Sequence, residues 1–230
     1  MKTSPLFLAT FLALLTPAFA EVRGLRIKER IDPVFPTEVT LEGLTRGTVH
    51  CLIDIDATGK VEDVLITAYT HRSFGRVVRE AVRQWRFEPA LLDGKPVAAQ
   101  TALEFTIEGV GCVVTLDNNT YLSQRFEALL GPTYAFHPYT LRDLDAIPVP
   151  QKTVMPFYPT ELAARLRGQV RVDFFIDETG RVRVPLAQPD APAELAAAAM
   201  EAVRQWQFAP PLRHGDPVLV RASQEFHFTP

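Results

Sequence analysis

Apolar residues recur along this chain at two spacings, and the change from one to the other comes round twice. Val49, Cys51, Ile53 and Ile55 alternate with Thr48, His50, Leu52 and Asp54, the period of a strand with one buried face. Asp56-Ala57-Thr58-Gly59 interrupts the run and Val61 to Tyr69 resumes it. A hairpin is predicted, with Gly59 where a left-handed backbone costs least. The spacing then lengthens to three and four. Phe74, Val77, Val78, Ala81, Val82 and Trp85 make one stripe of an amphipathic helix. Phe87-Glu88-Pro89 ends it, because a residue before proline avoids helical angles. Beyond the turn at Gly94, Val97, Ala99, Thr101, Leu103, Phe105 and Ile107 share one face of a third strand.

The second round repeats each step. Val170, Val172, Phe174 and Ile176 alternate, Asp177-Glu178-Thr179-Gly180 turns, and Val182 to Leu186 returns. Leu195, Ala198, Ala199, Ala202, Val203 and Trp206 make the helical stripe, and Phe208-Ala209-Pro210 the exit. Val218, Val220, Ala222, Gln224, Phe226 and Phe228 face one way on the last strand. The displacement that carries Trp85 onto Trp206 also carries Gly59 onto Gly180, Gly94 onto Gly215 and Phe105 onto Phe226, so one supersecondary unit is used twice. Trp85, Phe87, Pro89 and their repeats Trp206, Phe208, Pro210 are read as structural, the tryptophans as core. Each unit is introduced by two prolines bracketing an aromatic: Pro33, Phe35 and Pro36 in one, Pro156, Tyr158 and Pro159 in the other. These are stiff lead-ins with few free donors.

The expected fold is α+β: two tandem units, each strand–strand–helix–strand, with a three-stranded antiparallel sheet covered by one helix. A right-handed crossover sets strand three antiparallel to strand one beside it, which gives the order 2-1-3 and leaves the last strand as an edge. Pro185 suits an edge position for the second unit's strand two. Residues 21–112 are assigned to the first unit and 151–230 to the second. The connector, 113–150, holds a short helix (Leu122, Phe126, Leu129, Leu130) stopped by Gly131-Pro132, then an extended segment packed on one or both units.

Composition refines this picture in three places. Residues 1–20 read as an export signal: Lys2, the apolar run Leu6 to Leu15, and Ala18-Phe19-Ala20 with cleavage after Ala20. The alternative is an uncleaved inner-membrane anchor. An exported chain with two cysteines favours a bridge. Cys51 and Cys112 are expected to meet where antiparallel strands one and three bring their ends together, which would contribute roughly 4 kcal/mol. The net charge of −3 gives no basic field for nucleic acid.

Candidate chemistry is sparse. No nucleophile elbow, zinc-protease helix, Cys-x-x-Cys or phosphate loop is present. Asp54-x-Asp56-x-Thr58-Gly59 is read as a hairpin turn rather than a calcium loop, since the second unit has Phe175 for the first acid. His50 and His227 point outward by alternation and are read as surface residues. A non-enzymatic protein is expected, with no cofactor, no metal and no small-molecule substrate. The feature left to carry function is the edge of the last strand, Val218 to Phe228, which can accept an extended segment of a protein partner. The alternative is a scaffold whose last strands pair internally or across a homodimer.

At this point the residues resemble the TonB C-terminal domain family, twice over. The family pattern runs Pro-x-Tyr/Phe-Pro, an alternating strand, Asp-x-x-Gly-x-Val, Ala-Val-x-x-Trp-x-Phe-x-Pro and Gly-x-Pro-Val. It is met from Pro33 to Ile107 and again from Pro156 to Phe228. The resemblance implies a periplasmic domain whose last strand pairs with a short segment of TonB-dependent outer-membrane receptors, in service of nutrient transport. Where the best-known members place a glutamine before the Pro-x-Tyr-Pro motif, this chain has Asp32 and Met155.

Overall fold

Each run of alternation becomes a hairpin and each helical stripe lies across it. The computed structural model describes residues 22–23, 25–92, 94–117, 134–158, 160–188 and 190–229. In the first unit, strands β1 (Arg46–Ile55) and β2 (Val61–Tyr69) form the hairpin and helix α1 (Arg72–Val82) follows. Strand β3 (Ala99–Glu108) returns beside β1, and β4 (Gly111–Asp117) lies beside β3. The sheet order is β2-β1-β3-β4, antiparallel throughout. In the second unit, β5 (Tyr139–Thr140), β6 (Gly168–Ile176), β7 (Val182–Ala187), helix α2 (Ala193–Arg204) and β8 (Val220–Phe228) give the order β5-β8-β6-β7, with β5 parallel to β8.

The repeated motifs explain why the units close alike. Asp56 Oδ1 accepts the N–H groups of Thr58 and Lys60 at 2.8 and 2.9 Å, and Asp177 Oδ1 those of Thr179 and Arg181 at 3.0 Å each. Each aspartate is thus occupied in holding its hairpin turn. The turn docks on the helix exit: Phe87 N–H donates to Gly59 O, and Phe208 N–H to Gly180 O, both at 2.8 Å. A Cβ on either glycine would sit 2.0 Å from that phenylalanine's own carbonyl oxygen, and φ is positive at both (+88° and +82°), so only glycine fits. Between helix and sheet, Val49, Cys51, Ile53, Ile55, Phe74, Val78, Val82 and Trp85 form the first core. Val170, Val172, Phe174, Ile176, Leu195, Ala199 and Val203 form the second. Full burial of each large aliphatic or aromatic side chain is worth about 1.5–3 kcal/mol.

Two expectations are corrected. Neither sheet is three-stranded. Gly109 and Val110 turn the chain back after β3, and Gly111–Asp117 covers the edge of the first sheet, which therefore extends past Cys112. In the second sheet the added strand is only β5. The disulfide also fails, for Cys51 and Cys112 are free. Cys51 lies mid-strand opposite Leu103, while Cys112 lies on β4 opposite Ile107. With β3 between them and four residues of offset, the two are roughly 16 Å apart, far beyond the ~7 Å Cα limit of a bridge.

The units pack through the sheet faces turned away from their helices. Leu52 and Leu65 meet Phe175, Val184 and Leu219 in a third buried cluster. Arg183 reaches across from β7, donating from Nε to Asp63 Oδ2 at 2.7 Å and from Nη1 to Asp177 Oδ2 at 3.3 Å. Gln100 Nε2 donates to Pro185 O at 3.0 Å. A bulge in β7, where Asp173 pairs with Leu186 but Phe175 with Arg183, aims Val184 into that cluster. Its φ of +48° is strained for a β-branched residue. The connector touches both units: Phe136 stacks on Tyr69 at 5.0 Å between ring centroids, and Leu141 and Leu144 pack on the second core. The leader at 1–20, the helix expected around Leu122–Leu130 and Pro159 lie outside the described residues. Among those described, no helix is long and apolar enough to cross a membrane.

Candidate functional site

The phase of β8 decides which of its groups can meet a partner. Tyr139 N–H donates to Leu219 O at 2.9 Å, so odd-numbered residues here turn their main-chain groups towards β5 and even-numbered ones towards β6. Strand β5 pairs only with Val220 and Arg221. Beyond it the N–H and C=O groups of Ser223, Glu225 and His227 face outward, and among the described residues no strand lies against them.

The residues expected at this edge are placed differently from one another. Val220, Phe226 and Phe228 are buried in the second core, Ala222 is half-buried and Gln224 is exposed. Val218 precedes the strand and donates its N–H to Pro211 O at 2.9 Å. From Val220 to Phe228 the backbones of these residues are committed to β6. The groups available for recognition belong to the alternate residues, which the apolar pattern did not single out.

The lead-in builds the wall of the site. Trp206 Nε1 donates to Val154 O at 2.8 Å, and Tyr158 Oη to Leu166 O at 2.6 Å. Tyr158 meets Phe228 edge-on at 5.1 Å. These contacts hold Met155, Pro156, Tyr158 and Trp206 beside Gln224–Phe228, enclosing a groove of about 400 Å³. Behind the lead-in a second cavity of about 590 Å³ runs along α2, floored by Val154, Ala198 and Ala202. Met155 borders both, and it and Phe157 are 80 % and 79 % exposed. Proline-bracketed patterning located this segment, but only the fold reveals the two residues at its crest.

The same place in the first unit is closed. Trp85 Nε1 donates to Ile31 O at 2.8 Å, and Phe35 meets Phe74 edge-on at 5.5 Å, holding Pro33 and Pro36 buried. Strand β4 lies along β3, and Arg30, stacked over Trp85 at 5.8 Å, donates from Nη2 to Cys112 O at 3.1 Å. Phe87 and Phe208 are buried behind their tryptophans, and Pro89 and Pro210 follow them at the surface.

Burial shifts several titratable groups of the first unit. Burial pushes the Asp54 carboxyl up to about 6. It also lowers the pKa of His50, which is buried rather than at the surface and lies 2.6 Å from Tyr134 Oη. At Asp177, bonds from Thr179, Arg181 and Arg183 outweigh burial and hold the carboxyl down. Burial raises Cys112 to about 11. His227 is exposed and lies 3.1 Å from Gln169 Nε2. Among the described residues no group of three or more His, Cys, Asp and Glu could hold a metal ion.

Comparison with known proteins gives one answer at two places. The family model of the Gram-negative bacterial TonB protein C-terminal matches residues 32–107 and again 154–230. Protein TonB of Pseudomonas aeruginosa is 37% identical over 78 residues, which is 33% of this chain and 22% of that protein. Protein TonB of Vibrio cholerae is 30% identical over 86 residues, 36% of this chain and 35% of that protein. The chain thus spans about a third or less of the length of these relatives.

Proposed function

The chain belongs to the family of Gram-negative bacterial TonB protein C-terminal domains, and on that premise we propose that it is a non-enzymatic periplasmic docking module serving TonB-dependent transport. Its last strand accepts extended segments of envelope proteins, outer-membrane transport proteins among them, by strand addition. The observation that carries this reading is the row of outward main-chain groups on Ser223, Glu225 and His227, set beside an apolar groove. Main-chain hydrogen bonds supply affinity in such a mode, and pockets for alternate side chains supply specificity. No cofactor is needed. Residues 1–20 serve as the export signal, cleaved after Ala20, or else as the inner-membrane anchor.

Amide exchange followed residue by residue on the exported chain tests this. Added peptides from the N-terminal segments of TonB-dependent receptors are expected to slow exchange at Ser223, Glu225 and His227. Exchange unaltered by every such peptide overturns the reading. Protection that grows with protein concentration, without peptide, would instead mean that the same edge pairs two copies in a homodimer.

A further inference from the structure

The two units differ at three aligned positions around the cavity along α2. The tryptophan acceptors Ile31 and Val154 fix the alignment of the lead-ins, so Asp32 corresponds to Met155 and Val34 to Phe157. On the helices Val77 corresponds to Ala198. In the first unit Asp32 is tied to Arg30 and Val77 packs against the core. In the second, the smaller Ala198 leaves space against Val154, while Met155 and Phe157 raise an exposed apolar crest above it. Large exposed apolar patches on a polar surface mark places where another chain packs.

The occupant follows from continuity and charge. The cavity meets the β8 groove at Met155, so a chain lying along β8 can run on over the crest into it. Its rim carries Glu161, Glu194 and Glu201 against two cations, Arg165, bonded to Glu194 at 2.8 Å, and Arg204 beside it, 3.8 Å from Glu201, so the rim is acidic on balance. We propose that this cavity is a second recognition site for the same incoming segment. Beyond the residues that pair with Ser223, Glu225 and His227, that segment carries a large apolar side chain for the floor of Val154, Ala198 and Ala202. A neighbouring lysine or arginine meets Glu161 and Glu201. The inference rests on the strand-addition reading and adds to it a partner with two blocks, one alternating and one basic-apolar.

A phage-displayed library of long random peptides, panned on the exported chain, tests both blocks. Enriched peptides are expected to contain an alternating β-prone stretch followed or preceded by a basic-apolar one. Truncating a winning peptide to its alternating stretch is expected to weaken binding about tenfold. Ala198→Leu, which fills the floor, and Glu201→Lys, which reverses an exposed charge, should each erase that gain and leave the truncated peptide's affinity unchanged. Equal affinity of long and truncated peptides overturns the second site while strand addition stands. If no enriched peptide slows exchange at Ser223, Glu225 and His227, strand addition falls and this inference with it. An unaltered melting temperature identifies variants whose fold is intact.

Discussion

The two units share their turns, helix, tryptophan and exit, and part company around the last strand. In the first, β4 pairs with β3 from Ala102 to Glu108 and Arg30 straps the lead-in to Cys112. In the second, β5 covers two residues of β8, and Thr153 stands where Arg30 would be. The tryptophans record the difference: Trp85 is wholly buried, whereas Trp206 is half-exposed and borders the groove. A duplicated unit can thus supply one rigid copy to build upon and one with its edge open.

The largest test of that contrast compares the tryptophans directly. Trp85→Ala empties a closed core and abandons the bond to Ile31, at a cost of about 3–5 kcal/mol. Trp206→Ala removes a ring that water already reaches, and about 2 kcal/mol is expected. Denaturant unfolding of the two variants checks this; equal losses would mean that the second unit is as closed as the first.

The inter-unit face carries a second asymmetry. Asp54 occupies the position at which the second unit has Phe175, so an acid faces an apolar cluster. Its Oδ1 and the Oε1 of Gln100, its partner in register, are both buried without a hydrogen bond. A single proton on Asp54 can satisfy both acceptors. Burial raises its pKa to about 6, with Arg204 and the Gln100 side chain opposing the rise and Asp63 and Glu62 adding to it. The unfolded chain has the ordinary value near 4. The folded state therefore binds a proton that the unfolded state releases between these values, and Asp54 costs stability above pH 6 that is regained as pH falls towards 4. Asp54→Asn, which can donate to Gln100, is expected to stabilise the chain by about 2 kcal/mol at pH 7 and by little at pH 4. Subtracting the variant's pH profile from the parent's removes the opposite contribution of Asp177. A flat difference would show that Asp54 is not held neutral by the interface.

What could be read from the sequence follows from which interactions are local. Hairpin, helix and exit each depend on residues a few positions apart, so alternation, the three-four spacing and Phe-x-Pro reveal them, and repetition supports each reading twice. The fourth strand was missed because Cys112, Val114 and Leu116 alternate over a short run, and the repeat offers no counterpart to compare. With that strand unseen, β3 looked like an edge and Cys51 and Cys112 looked like neighbours. The uncovered edge lies on the strand that the pattern points to, but its outward main-chain groups are not those of the residues that the apolar spacing picks out. Apolar spacing marks the side chains turned to the core, and the main-chain groups open to a partner belong to the residues in between. His50 and Asp54 misled for a related reason: alternation tells which face a residue takes, not whether another segment covers that face, as the connector's Tyr134 covers His50.

The gentlest test makes the first unit resemble the second. By the alternation seen in β8, Ala102, Glu104 and Thr106 in β3 turn their main-chain groups to β4, and they correspond to Ser223, Glu225 and His227. Thr115 lies opposite Glu104 with its side chain exposed, so Thr115→Pro deletes one donor and disturbs little packing. Proline is tolerated only where a strand has no neighbour to serve, so β4 is expected to peel from β3. Global stability should fall by only about 1 kcal/mol, as one hydrogen-bonded pair and a half-exposed strand are lost. Amide exchange at Ala102, Glu104 and Thr106 should meanwhile accelerate on the order of a hundredfold, to rates like those of Ser223, Glu225 and His227. Exchange that stays slow at the first three would mean that β4 is not what closes this edge, and the distinction between a capped and an open copy would have to be sought in the lead-in alone.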